Sequence, residues 1–193
     1  MSKFYFCSDL HFGHRREFLY KPRGFNSIEE HDEIIVENWN KTITNNDIVY
    51  LLGDLMLNDN EHGISLLNRL NGQAIYYIRG NHCTDARCEL YRTTKMIPLS
   101  GSFYTSWAAI QKIQGYTFYL SHYPTMIGSL EDMSPLKKRL LGLHGHTHSK
   151  SKFYQDIPFM YNVALDAHNN YPVSLDEIIA DMEAKKDECL AML

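Results

Sequence analysis

Apolar positions along the chain recur with two different periods. Short β-rich runs occupy residues 3–8, 47–52 and 74–78, a length and composition that predict buried strands. Between the first two, Ile28, Ile35, Trp39 and Ile43 keep helical spacing, and Ser27-Ile28-Glu29-Glu30 opens that helix as a capping box. A second helix is predicted over 61–71 through Ile64, Leu67 and Leu70, with Gly72 placed to stop it. Further on, runs 109–113 and 116–121 flank Gln114-Gly115, which predicts a hairpin, and 140–145 and 161–165 read as two more strands. Ser174-Leu175-Asp176-Glu177 is another capping box, opening a terminal helix with Ile178, Ile179, Met182 and Leu190 on one side. Strand–helix alternation followed mainly by strands implies an α/β chain in which helices cover more than one sheet. No repeat, low-complexity tract or linker interrupts it, so residues 1–193 read as one domain.

Composition narrows the function. With 44% hydrophobic and 12% aromatic residues, the 193-residue chain can build a packed core, which excludes disorder. Nineteen basic against 23 acidic residues, a net charge of −4, argue against binding nucleic acid by bulk electrostatics. Cys7, Cys83, Cys88 and Cys189 form no C-x-x-C pair, so neither a zinc ribbon nor a redox motif is present, and a chain this long needs no disulfide framework. The first apolar run, Phe4–Cys7, is too short for a signal segment, and no stretch approaches the ~20 apolar residues of a membrane span. A soluble, cytoplasmic protein with no membrane partner is expected. The ten histidines are what change the picture, because they point to metal or acid–base chemistry.

Five motifs gather that chemistry, each directly after a predicted strand: Asp9-Leu10-His11, Gly53-Asp54, Gly80-Asn81-His82, Ser121-His122 and Gly145-His146-Thr147-His148. Ligands of α/β sheets bind beyond the carboxyl ends of strands, so these turns can converge. Asp9 and His11, like His146 and His148, are two apart, which in extended backbone puts both on one side. The glycines beside Asp54, Asn81 and His146 permit sharp turns and close approach. Two carboxylates, an amide oxygen and several imidazoles suit Mn, Fe, Ni or Zn better than a thiolate site would. Asp9, His11, Asp54, Asn81, His122, His146 and His148 are too many ligands for one ion and fit two that share a carboxylate. Two metals ~3.5–4 Å apart are the standard device for phosphoryl ester hydrolysis, activating water and neutralising the phosphoryl oxygens, while a remaining histidine protonates the departing oxygen.

The ordered set D-x-H, G-D, G-N-H, H, G-H-x-H resembles the calcineurin-like metallophosphoesterase superfamily. The tail Asn162-Val163-Ala164-Leu165-Asp166 and Pro172-Val173-Ser174-Leu175-Asp176-Glu177 resembles its small bacterial and phage members. The resemblance implies two packed mixed β-sheets flanked by helices, a four-layer αββα sandwich with the site at one rim. It also implies two divalent ions, Mn²⁺ first among them. One would be held by Asp9, His11, Asp54 and His148, the other by Asp54, Asn81, His122 and His146, with His82 over the substrate phosphate as transition-state stabiliser or general acid. The implied reaction is in-line attack of a metal-activated hydroxide near Asp54 on a phosphate ester, with diesters favoured over monoesters. The implied partner is a small phosphate ester or a nucleotide. A long nucleic acid is not favoured, since it would need a basic track from Arg15, Arg16, Arg87, Arg92 and Lys95. The alternative, a catalytically silent scaffold of the same fold, predicts substituted ligands, and none is substituted. Two positions depart from the pattern. Cys83 stands where an acid often follows G-N-H, leaving no identifiable carboxylate to orient His82, and Leu55-Met56-Leu57 replaces the Asp-Arg-Gly of protein phosphatases.

Other residues carry two readings. Arg15 and Arg16 read equally as a phosphate clamp or a solvated basic turn. His14 reads equally as a substrate neighbour or a surface-loop histidine. His144 is expected on the opposite face of its strand from the site, and His31, His62 and His168 are expected to be ordinary exposed or capping residues. Lys137-Lys138-Arg139 reads as a solvated helix face. Tyr123 reads as packing more than as pocket lining, Cys83 as a small buried residue, and Met56, Met126 and Met160 as core.

Overall fold

A computed structural model describes residues 2–125 and 133–191. Five strands, β1 (Phe4–Cys7), β2 (Ile48–Leu52), β3 (Ala74–Ile78), β4 (Met96–Pro98) and β9 (Val173–Ser174), form one sheet in the order β4-β3-β2-β1-β9. Its first four members are parallel, and β9 alone runs antiparallel, against β1. The second sheet is β5 (Ala108–Ile113), β6 (Tyr116–Ser121), β7 (Leu140–His144) and β8 (Met160–Asn162). There β5 and β6 are the expected hairpin, turning through Gln114 and Gly115 at φ 50° and 88°, the left-handed pair of a type I′ turn. The pairs β6–β7 and β7–β8 are parallel. The chain is therefore α/β with two mixed sheets, as the sequence pattern and the resemblance lead one to expect.

Strand alternation sorts the core into two layers. Tyr5, Cys7, Val49, Leu51, Ile75 and Tyr77 face helices α2 (Ile28–Thr42), α3 (Asn60–Leu67) and α4 (Asp85–Tyr91), packing on Trp39, Ile35, Leu66 and Tyr91. Their sequence neighbours Phe6, Tyr50, Leu52 and Ile78 point the other way, into a second layer with Phe118, Leu120, Leu141, Leu143 and Tyr161 of the other sheet. Phe6 stacks on Tyr50 at 5.2 Å between ring centroids and tilts against Phe118 at 5.9 Å, so one side chain joins the two sheets. Helix α5 (Leu175–Ala191) adds Ile178 and Met182 to this layer. Met56 and Met160 are buried as expected, and Met126 lies outside the described residues.

Helix ends show where local reading stops. Ser27 Oγ accepts the Glu30 amide at 3.1 Å, but the Glu30 carboxylate takes the Asn26 amide, so the reciprocal half of the box is shifted by one residue. Helix α3 ends at Leu67 rather than near Gly72. Asn40 captures the Asn71 amide and Ile43 the Asn71 side chain, and these contacts from α2 and its end pull residues 68–71 out of helix. Gly72, at φ 144°, then turns the chain into β3. The predicted strand over 161–165 is shorter, because Leu165 already opens a 3-10 turn; β4 and β9, at three and two residues, carry too little periodicity to be read.

Parallel order positions the site. The carboxyl ends of β1, β2 and β3 open on one rim, and their loops stay hydrogen-bonded beyond the strands: the Asp9 amide donates to Gly53 O at 3.1 Å and the His11 amide to Asp54 O at 3.0 Å. In the second sheet the Gly145 amide donates to His122 O at 3.0 Å, and a Ser8–Ala164 bridge stitches the two sheets together at that rim.

Candidate metal centre

All five motifs arrive at this rim. Asp9, His11, Asp54 and His122 form a buried floor, at 0%, 1%, 1% and 0% exposure, while Asn81, His82, His146 and His148 stand around it with solvent access. The local backbone differs from the extended segments expected. Asp9, His11, Asp54, His146 and His148 have φ of 61°, 51°, 52°, 69° and 48°. Left-handed backbone is costly for residues with a Cβ and persists where surrounding structure imposes it, typically at functional sites. The pairs thus converge through successive left-handed turns, not through strand alternation. Close approach has a visible cause: a Cβ on Gly145 would run into Ser8 Oγ and Asp9 Oδ2, and one on Gly80 into the Asp54 carboxylate.

Hydrogen bonds hold each ligand atom in place. Asp9 Oδ2 accepts from the Ser8 hydroxyl and from the His146 amide at 2.9 Å, leaving Oδ1 buried without a hydrogen-bond partner, 3.6 Å from both His11 Nε2 and His148 Nε2. Asp54 Oδ1 accepts the His82 amide at 2.8 Å, and its Oδ2 lies 3.3 Å from His122 Nε2, 3.9 Å from His11 Nε2 and 4.0 Å from His82 Nε2. His122 donates Nδ1–H to Leu52 O at 2.8 Å, which turns Nε2 toward Asn81 Oδ1 at 2.9 Å; that oxygen is also 2.9 Å from His146 Nδ1. His148 Nδ1 lies 3.2 Å from Asp166 Oδ2, with the ring's other nitrogen, Nε2, toward His11 Nε2, also 3.2 Å away. Such outer partners fix the tautomer of a metal-binding imidazole.

These contacts fit cations. In a neutral imidazole, His122 donates Nδ1–H to Leu52 O and so sets its Nε2 lone pair against the Asn81 oxygen, which a shared cation resolves. Burial alone would raise the Asp9 and Asp54 carboxyls, but the surrounding imidazoles hold both below the usual range, so two charged carboxylates sit in low dielectric. Arg23, the guanidinium beside them, is neutralised by Asp166 at 2.7 Å and leaves their charge uncompensated. Three sets of ligand atoms, Asp9/His11/His148, His11/Asp54/His82 and Asp9/Asp54/His122, each lie within 4.8 Å of one another. The donors are nitrogen and oxygen only, the mixture that divalent transition metals accept.

Around the floor, His82 projects over a cavity of about 420 Å³ lined also by His14, Phe18, Leu19, Pro22 and Asp166. Its ring meets His11 edge-on at 5.4 Å. Asp54, not a residue after His82, is the carboxylate nearest that ring, and it holds the backbone rather than the imidazole. His14 belongs to the cavity, with its ring 5.4 Å from that of His11 and 6.2 Å from that of His82; burial, then the neighbouring histidines, push its pKa down to about 4, so it is neutral. Arg15 and Arg16 are exposed and do not line the cavity. Arg15 edges a separate depression with Glu29, Asp32 and Asp59. Nor are Arg87, Arg92 and Lys95 among the cavity's lining; Arg87 bonds Asn60 and His82 O, and Arg92 pairs with Glu89. Tyr123 lies edge-on to His146 at 4.7 Å, outside the lining. Cys83 is buried, and burial pushes its thiol up, away from reactivity. His144 is buried, donating Nδ1–H to Gly145 O at 2.9 Å, and lines a different cavity with Thr147 and Tyr154.

Two histidines expected at the surface are interior. His168 is 7% exposed and donates to Asn162 O at 2.8 Å. His31 is fully buried and joins a chain that has no counterpart in the motifs. Arg23 takes both Asp166 oxygens, at 3.0 and 2.7 Å, donates to Asp9 O at 2.9 Å and meets His31 Nε2 at 3.0 Å. His31 Nδ1 is 2.8 Å from Asp32, whose other oxygen accepts the Gly13 amide at 2.9 Å and faces the half-buried His62 at 3.0 Å. This network braces both ends of the Asp9–Gly13 loop and the outer nitrogen of His148. Asp166 had a signal, an acid following a strand in the tail Asn162–Asp166, whereas Arg23 had none. Arg23→Met is expected to lower stability by ~3–5 kcal/mol, since it strands buried Asp166, and to weaken Mn²⁺ binding about 10–100-fold through His148. Urea unfolding and Mn²⁺ titration measure the two effects, and unchanged affinity would reduce Arg23 to a scaffold residue.

An uncharacterized protein of Methanocaldococcus jannaschii is 33% identical over 194 residues, 96% of this chain and 94% of its own length. The Gene 66 protein of Mycobacterium phage D29 is 30% identical over 205 residues, covering 95% of this chain and 98% of that protein. The crystal structure of a protein of unknown function from Aquifex aeolicus has the same fold, with a TM-score of 0.66 at 23% identity over 92% of this chain and 98% of that one. Residues 2–192 match the calcineurin-like phosphoesterase family across nearly the whole described chain, and with its two mixed sheets and candidate ligand groups at their shared rim, the protein belongs to that family.

Proposed function

We propose that the protein hydrolyses phosphate esters, diesters in preference to monoesters, with two divalent ions. The observation that carries this reading is the position of Asp54 Oδ2 between His122 on one side and His11 on the other, where a carboxylate serves both halves of the donor set. Asp9, His11, Asp54 and His148 would hold one ion, and Asp54, Asn81, His122 and His146 the second. Bound there, the ions would supply Lewis-acid charge to the phosphoryl oxygens and acidify water. Mn²⁺ is the first choice for this nitrogen–oxygen set, with Fe, Zn and Ni as competitors.

The chain's own groups do the rest. His82 Nε2 reaches over the floor from a turn anchored on Asp54 and delivers a proton to the departing oxygen. Neutral His14 bounds the phosphate without competing for its charge. The diester preference rests on the cavity: among the described residues no Lys or Arg lines it, so a dianionic monoester finds no cationic side chain for its extra charge. We also place the protein in the cytoplasm. Its four cysteines are unpaired, as a reducing compartment keeps them, and among the described residues no helix is long and apolar enough to cross a membrane.

A metal-supplemented comparison of bis-p-nitrophenyl phosphate with p-nitrophenyl phosphate tests this. Metal-dependent turnover with the higher kcat/KM on the diester is expected. Metal binding without turnover on either ester would favour the silent-scaffold reading.

A further inference from the structure

A second cavity, of about 360 Å³, lies across the turn that carries His146 and His148. Those two histidines line the metal cavity, whereas Thr147 between them lines this one, and the two cavities share no lining residue. His144 stands in its wall at 2% exposure. With Nδ1–H given to Gly145 O at 2.9 Å, the neutral ring keeps a lone pair on Nε2, and among the described residues no protein donor reaches that buried atom. A buried polar atom without a protein partner is costly, so one kept beside a cavity marks a place for a donor.

Another part of the wall is strained. The 3-10 turn Tyr154–Asp156 holds Gln155 and Asp156 at φ 49° and 60°, left-handed backbone that is costly for residues with a Cβ and clusters at ligand clamps. This turn places the Tyr154 ring edge-on to His144 at 5.6 Å and the Asp156 carboxylate on the lining, to which Phe153 adds a second ring.

That lining selects for positive charge. Among the described residues no Lys or Arg belongs to it, so an anion finds no cationic side chain there. An ammonium finds three partners: the aromatic rings attract it, Asp156 matches its charge and His144 Nε2 accepts its N–H. Lys185 meets Asp156 at 3.4 Å, but an exposed pair of this kind contributes little, and Lys185 has a second partner in Glu188 at 3.5 Å. A metal ion would need further donors, and the three candidate ligand groups among the described residues all lie at the floor of the other cavity.

We propose that this cavity is a binding site, separate from the metal centre, for a small organic ammonium. Its N–H groups point at His144 Nε2, its charge faces Asp156, and its carbons pack on Phe153 and Tyr154. An amide-resolved NMR titration of the protein loaded with diamagnetic Zn²⁺ tests this, with n-butylamine (protonated at neutral pH) as probe and 1-butanol as its uncharged counterpart. The amine is expected to saturate one site, to move the Thr147 and Tyr154 amides, and to bind about fivefold or more tighter than the alcohol. Asp156→Asn should weaken the amine about threefold or more and leave the alcohol unchanged, while Glu37→Gln, which removes an exposed acid on α2, should change neither. His144→Phe keeps a ring and loses the lone pair, and should also weaken the amine in protein with unchanged circular dichroism. If that variant does not fold, Asp156→Asn still decides. Equal affinity for amine and alcohol, no saturation by the amine, or an Asp156→Asn variant that binds it as the wild type does would each overturn the proposal. So would an equal loss in Glu37→Gln, the mark of diffuse surface attraction.

Discussion

Asp54→Ala is expected to bring hydrolysis of bis-p-nitrophenyl phosphate down to the uncatalysed background and to strip the bound metal. Three consequences follow from one side chain. Its Oδ2 is the oxygen shared between the His11 and His122 sides, so its loss removes a donor from each ion. Its Oδ1 anchors the His82 amide at 2.8 Å, so the turn bearing Asn81 and His82 loses its tether. Its carboxylate is also one of two charges in the buried floor, and without it the field that attracts a divalent cation roughly halves. Asp54→Asn separates these effects, because the amide keeps the shape and an oxygen for the His82 amide but not the charge. Metal content after dialysis, read beside circular dichroism, should show both variants folded and metal-poor. Full Mn²⁺-dependent activity in Asp54→Ala would sink the dinuclear reading.

His82→Ala is expected to behave in the opposite way, retaining both metals while kcat falls about 10²–10⁴-fold, the range for a positioned general acid. The ring makes no hydrogen bond within 3.5 Å to a ligand; its nearest carboxylate oxygen, on Asp54, is 4.0 Å away, and it projects into the cavity, where a leaving group would lie. A proton donor matters most when the departing oxygen is a poor leaving group. The loss should therefore be larger for an alkyl ester than for p-nitrophenyl esters of the same phosphate. A uniform loss across leaving groups would assign His82 to charge stabilisation instead. Loss of metal would make it a ligand, as its proximity to His11 and Asp54 allows.

Local chemistry explains how much of this was legible in the chain. The apolar runs and the 3.6-spaced apolar residues locate β1, β2, β3, β6, α2 and α5 to within a few residues, because the strands are largely buried, β1 to β3 on both faces, and the helices bury one. Asp9, His11, Asp54, Asn81, His82, His122, His146 and His148 follow strands in sequence and meet in space because parallel strands end on one side. Alternation does not aim Asp9 with His11; a left-handed backbone at each residue does, and that conformation is imposed by contacts with residues 53–55 and 145–146 that no local pattern reveals.

By itself the sequence determined the succession of the longer strands and helices, though not α4, β4 or β9, together with the donor chemistry and the family, since these reside in short motifs and local periodicity. Tertiary structure alone decided the remainder. Arg23 reaches Asp166 across 143 positions, and His31 is interior although it sits in a helix segment rich in charge. Arg15 and Phe18, three residues apart, end in different depressions, the charged side chain away from the cavity and the apolar one at its wall. Each of these outcomes depends on which distant surface a side chain meets once two sheets have packed. That is set by the summed burial of Phe6, Tyr50, Phe118 and their neighbours, not by any residue's own preference.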